Sequence, residues 1–257
     1  MLMSVFMFVL GSIVGSFLNV CVWRLPRRES IVVPSSHCIR CNRPIPWYDN
    51  IPIISFLALL GRCRFCRSAI SVRYFIVELL TAGLFAAAYN AFGMTPRLAE
   101  MLIMMSLLVV ATFVDLEHQE IPDEVTLGGL AVGLTLSLLI PGAAGSSPWS
   151  SFGRSLWGAL IGGGLLYIVG FFGEIIFKKE AMGGGDVKLL AMVGSFLGWK
   201  LTVLAFFIAP VFGSIVGIFL KFKKGSDIIP YGPHLSLGTL VSCFFGNQIL
   251  AYLFHGF

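Results

Sequence analysis

Along this chain, apolar residues run in blocks of about 18 or more, separated by short polar segments and without period-two alternation. The pattern predicts an all-α polytopic membrane protein rather than a β-barrel, because a helix satisfies its own backbone groups in lipid. Eight transmembrane helices are expected, at about 2–22, 74–93, 98–115, 124–141, 154–177, 187–199, 201–220 and 235–255. The sixth is short for a full span, which suits a tilted helix or one that starts inside a cavity. Residues 142–151, rich in Gly, Ser and Pro, read as a flexible external loop.

Composition agrees: 57% of the 257 residues are hydrophobic and only 12% are charged, with a mean hydropathy of +0.89. The basic residues orient the helices. No Lys or Arg precedes the first apolar block, whereas Arg24, Arg27 and Arg28 follow it, as expected of an uncleaved anchor with its N-terminus outside the cytosol. Followed through eight crossings, that orientation puts nine basic residues of the 24–73 segment in the cytosol, with Lys178, Lys179, Lys188, Lys221, Lys223 and Lys224. Only Arg97, Arg154 and Lys200 fall outside. The net charge of +5 is thereby explained by membrane lipid and topology, with no nucleic acid as partner. Three parts follow: a first helix at 1–23, a small polar cytosolic domain at 24–73, and a helical bundle at 74–257. Small-residue pairs at Gly11/Gly15, Gly129/Gly133, Gly158/Gly162, Gly194/Gly198 and Gly213/Gly217 predict close helix packing.

The polar domain carries Cys38-x-x-Cys41 and Cys63-x-x-Cys66, 21 residues apart. Thiolates two residues apart grip an ion from a tight turn, and two such turns complete a tetrahedral zinc site. A cytosolic location disfavours disulfides, and a metal would substitute for a core the segment is too small to build. His37, beside the first pair, is an alternative ligand, and a redox role for the thiols is the other reading. Cys21 and Cys243 stand alone in apolar helices and read as buried small residues. Trp47 to Leu57 is aromatic and apolar but too short to span, so it is expected on the membrane surface or lining a cleft. Glu78 falls inside the second helix, where a bare charge is expensive; pairing with Arg73 or a neighbouring helix is one reading and a functional role the other.

Two polar stretches carry the candidate chemistry. Met182-Gly183-Gly184-Gly185-Asp186-Val187-Lys188 opens one apolar block, and Asp115-Leu116-Glu117-His118-Gln119-Glu120-Ile121-Pro122-Asp123 closes another. The topology puts Asp115 and Asp186 at the same, cytosolic, membrane face. Two close carboxylates share a proton, so that one acts as base and the other as acid, which suits peptide hydrolysis. Gly183 and Gly185 would let backbone approach a substrate. A helix N-terminus and Lys188 favour the anion of Asp186, whereas Asp115 ends a helix; Asp186 is thus the expected resting base and Asp115 the resting acid. The bland alternative makes Asp186 an ordinary N-cap and His118 a solvated side chain rather than a proton carrier.

These motifs together resemble the type IV prepilin leader peptidases, aspartic membrane proteases with a Gly-x-Gly-Asp motif. The likeness covers Gly15-Ser16-Phe17-Leu18-Asn19-Val20, Arg24-Leu25-Pro26, both cysteine pairs and Trp47-Tyr48-Asp49-Asn50-Ile51-Pro52. It continues through Ile70-Ser71-x-Arg73-Tyr74, Val77-Glu78, the Asp115 and Asp186 segments, and Ile229-Pro230-Tyr231-Gly232-Pro233. The resemblance implies Asp115 and Asp186 as the catalytic pair, in a bacterial inner-membrane enzyme that cuts prepilins or pseudopilins of type IV pili or type II secretion. The cut falls after the glycine that ends a short basic leader. It also implies N-methylation of the new amine with S-adenosylmethionine, since both cysteine pairs are present. Phe75, where the family often has proline, and His234, where an apolar residue is common, depart from the pattern. Alternatives are a presenilin-like or archaeal preflagellin peptidase, against which the cysteine domain argues, and a zinc-dependent transporter with Asp115, Asp186 and Glu78 on an ion path.

Overall fold

The structure, a computed structural model, describes residues 1–140, 147–178, 182–223 and 230–255. Residues 142–146 of the expected loop, Lys179, Lys224 and Ile229 lie outside the described residues. Within them the helices are α1 (Leu2–Arg24), α2 (Ile54–Ala58), α3 (Val72–Phe92), α4 (Pro96–His118), α5 (Asp123–Leu139), α6 (Pro148–Phe177), α7 (Gly184–Leu197), α8 (Trp199–Lys223) and α9 (Gly232–His255). Apart from the single-turn α2, each matches one of the eight expected helices. Six of them, α1, α3, α4, α6, α8 and α9, are long and apolar enough to cross a membrane, and the protein is a multi-pass membrane protein. At 14 residues, α7 reaches only about 21 Å, short of a hydrocarbon core of about 30 Å.

Several helix ends move for local reasons. α6 begins at Pro148 rather than near 154, because the Ser147 side chain accepts the Ser150 N–H and Pro148 presets the first helical φ. α3 starts without a proline: Ser71 accepts the Arg73 N–H, and Phe75 instead stacks on Phe56 with ring centroids 5.4 Å apart.

The chain divides into two compact units, Met1–Leu98 and Ala99–Phe257. In the first, α1 lies on α3 at a distance only glycine permits: a Cβ on Gly11 would come 2.8 Å from the Ala82 Cα, and one on Gly15 2.8 Å from the Glu78 Cα. In the second, Gly158 of α6 and Gly194 of α7 meet backbone to backbone, while Gly129 and Gly133 of α5 face Met192 and Ser195 of α7. Gly194 and Gly198 both lie against Gly158 of α6, where a Cβ would come 2.8 Å from the Gly198 Cα. Gly198 ends α7 at φ +74, a backbone state other residues avoid, and has open space where a side chain would go.

Candidate active site and metal centre

In the first unit the two cysteine pairs form two turns of the same build. Cys38 N–H donates to Arg43 O and Asn42 N–H to Cys38 O; in register, Cys63 N–H donates to Ser68 O and Arg67 N–H to Cys63 O. The residue after each second cysteine, Asn42 or Arg67, takes a left-handed φ of 54° or 58° that folds the pair back on itself. Isolated bridges His37–Pro44 and Arg62–Ala69 close the two turns. As a result the four sulfurs of Cys38, Cys41, Cys63 and Cys66 lie within 4.8 Å of one another. The Cys38 and Cys66 sulfurs are 3.8 Å apart, which matches the edge of about 3.8 Å of a tetrahedron with metal–sulfur bonds of about 2.3 Å.

The thiols also compete for charge. Burial opposes ionisation of Cys38, yet hydrogen bonds from the Cys41 and Arg40 backbone and from neighbouring thiols bring it down to about 6. Cys41 accepts a favourable bond from the Arg43 backbone, but the neighbouring sulfurs push it up to about 11. A cation among such crowded sulfurs would stabilise their ionised forms. His37 turns away from this cluster, its Nδ1 3.0 Å from Ser35 O. Nearby, Arg64 clamps Asp49 through two 2.6 Å hydrogen bonds, holding that carboxyl below its ordinary range.

In the second unit Asp115 stands one turn before the end of α4. Met101, Met104, Leu108 and Ala111 are buried at alternating steps of three and four residues, and Asp115, 5% exposed, continues that stripe. Asp186 relates to α7 in the same way, lying three, four and seven residues before buried Leu189, Leu190 and Val193. The N-cap reading of Asp186 does not hold. The cap is Gly183, with no side-chain cap bond, and Asp186 is the third helical residue, its N–H donating to Gly183 O.

Three segments converge on these carboxylates. The N–H of Gly232, which opens α9, donates to Asp115 Oδ2 at 2.8 Å. A Cβ on Gly232 would stand 2.7 Å from that oxygen and 3.2 Å from Ile121 Cδ1, and one on Gly185 would stand 3.1 Å from Ile121 Cβ. Ile121 is therefore wedged between the two glycines beside the two aspartates. Burial, and after it the charge of Asp115, pushes Asp186 up to about 7; burial and the charge of Asp186 push the Tyr231 phenol up to about 12.

Lys188 is not the counter-ion of Asp186. Residues two apart on a helix point to different faces, and the Lys188 Nζ binds Asp123 Oδ1 at 2.6 Å. Burial and the neighbouring carboxylate oppose the anion that the helix end favours at Asp186. His118 is exposed at the end of α4. Sequence reasoning does not single out Gly232, Tyr231 and Ile121 as site residues. The available signal is the Pro230-Tyr231-Gly232-Pro233 turn at the head of a helix, a place where backbone N–H groups are free to donate.

The profile of the Bacterial Peptidase A24 N-terminal domain matches residues 9–92, and that of the Type IV leader peptidase family matches residues 102–218. A prepilin leader peptidase/N-methyltransferase of Myxococcus xanthus is 42% identical over 87% of this chain, which spans 65% of that relative's length. One of the same description from Stutzerimonas stutzeri is 34% identical over 95% of this chain and 91% of its own. A type 4 prepilin-like proteins leader peptide-processing enzyme of Escherichia coli is 36% identical over 91% of each chain. No solved structure matches. With profiles matching both halves and two of these relatives aligned over about nine tenths of both chains, the chain belongs to the type IV leader peptidase family.

Proposed function

We propose that Asp115 and Asp186 are the catalytic pair with which this prepilin peptidase cleaves its substrate, Asp115 resting as the base and Asp186 as the acid. The observation that carries this is the Gly232 N–H bond to Asp115 Oδ2, which favours the anion of Asp115 beside an Asp186 raised to about 7. Asp115 takes a proton from the attacking water. Asp186 gives its proton to the scissile carbonyl oxygen and later serves the leaving amine. The substrate is a prepilin or pseudopilin, cut after the glycine of a basic leader at the cytosolic face of the bacterial inner membrane. The asymmetry of fifteen basic residues against three supports that orientation, with the N-terminus outside.

The sign of the pH dependence tests the division of labour. An acid must be protonated to act, so if Asp186 is the acid, kcat/KM falls as pH rises through about 7. Were Asp186 the base, activity would instead rise through the same window. Initial rates of cleavage of a purified prepilin between pH 5 and pH 9, on the order of the range a neutral-pH enzyme spans, decide it.

The sulfur cluster suits zinc, held by Cys38, Cys41, Cys63 and Cys66 to join two turns that have little core of their own. Cys38→Ser is expected to lower bound zinc from about one equivalent to less than about half, by elemental analysis of the purified protein. S-adenosylmethionine would supply the methyl group for the new N-terminal amine. Among the described residues there is no β-strand, so its seat is not the strand–turn–helix type of dinucleotide site.

A further inference from the structure

The first unit holds a cavity of about 660 Å³ that none of the chemistry above uses. One wall is α1, through Ile13, Ser16, Phe17 and Val20; the other is the chain around Ile31 and Ile53. Behind two of the lining residues, Ser16 and Ile53, lies the carboxylate of Glu78 on α3, 8% exposed. Glu78 Oε2 accepts the Ile53 N–H at 2.7 Å, and the Ser16 hydroxyl is its other partner. Both partners are neutral, whereas a buried carboxylate inside a spanning helix is normally matched by a cation. Ile53 makes that bond from φ 64, ψ −54, a conformation a β-branched residue avoids, and such strain collects at binding sites. One strained residue is thus both a wall of the cavity and the donor to the buried charge.

We propose that this cavity seats an apolar peptide segment ending in a free α-amine, with Glu78 as the group that receives the amine. The proposal rests on the N-methyltransferase reading. The cavity wall is part of a membrane-spanning helix, and Ile13 and Phe17 are 55% and 49% exposed there. An occupant at that depth must be apolar and satisfy its own backbone, which a helix does. Its end then approaches Glu78, the complement of an ammonium, behind Ser16 and Ile53, while Arg24, the one charged residue of the lining, is held on Ser30 O and Pro34 O. Glu78 can also take the amine's proton: the N–H bond breaks, an O–H bond forms on Glu78, and the nitrogen is left neutral with the lone pair an acceptor needs.

The test uses the full-length protein in phosphatidylcholine nanodiscs and a fluorescent apolar peptide of about 20 residues, prepared with a free N-terminus and with the same terminus acetylated. Wild type is expected to bind the free-amine form roughly tenfold more tightly, and Glu78→Gln to lose that preference. Ile13→Trp, which fills the cavity from its open side, is expected to weaken both forms. Equal affinity of wild type for the two peptides overturns the proposal. So does displacement of the peptide by phosphatidylethanolamine, which would make the cavity a lipid site. Methyl transfer from S-adenosylmethionine to the free-amine peptide needs no prior cleavage and is read separately. A wild type that prefers the amine yet transfers no methyl group overturns the methyltransferase reading and leaves the seat standing.

Discussion

Asp115→Asn and Asp186→Asn are each expected to lower prepilin cleavage by at least about a thousandfold, in line with the loss of a group that moves a proton in the transition state. An amide has nearly the shape of the carboxyl it replaces but can neither accept a proton from water nor give one to the carbonyl. The structure makes the two losses unlike in detail. Asp115 Oδ2 accepts the Gly232 N–H at 2.8 Å, and the amide oxygen introduced by Asp115→Asn can accept the same bond. This variant should therefore bind substrate with KM little changed and lose kcat. The double variant should be scarcely slower than either single one, because two groups that share one proton act as a unit. Full cleavage by either single variant would remove the dyad from the mechanism. Steady-state cleavage of a purified prepilin, with folding checked by thermal melting, makes the measurement.

The second large effect is at a residue with no side chain to do chemistry. Gly232→Ala would put a methyl group 2.7 Å from Asp115 Oδ2 and 3.2 Å from Ile121 Cδ1, well inside ordinary contact distance. Something must shift, and the buried aspartate and the head of α9 are the parts in contact. A displacement on the order of 1 Å in a reacting group costs about a hundredfold in rate, so Gly232→Ala should lose about that factor in kcat. Gly184→Ala is the control: a Cβ there meets nothing within 4 Å, and its cleavage should stay within about threefold of wild type, the scatter expected when no contact is lost. Equal activity of the two variants would show that the Gly232 turn does not position Asp115.

Much of this was legible in the order of residues. Helix number followed from the apolar blocks, since lipid leaves the backbone few options. The cysteine cluster was readable because Cys-x-x-Cys needs only a local turn, and both turns are built from hydrogen bonds spanning a few residues. The inward register of Asp115 was also present in the buried spacing of Met101, Met104, Leu108 and Ala111. Helix ends were less legible: Ser147 and Gly183 set the starts of α6 and α7 through single capping positions that an apolar average smooths over.

What the sequence alone determined was the class of protein and the two cysteine pairs, because each rests on composition or on spacing within one segment; it named the two aspartates as candidates through topology and resemblance. What only the tertiary structure decided was the environment of those groups. The Gly232 N–H comes to Asp115 from 117 positions away, and Lys188 turns from Asp186 to Asp123, 65 positions off. Proton affinity is set by burial and by such distant neighbours more than by position along a helix, which is why we propose for Asp115 and Asp186 the reverse of the roles that helix ends suggest.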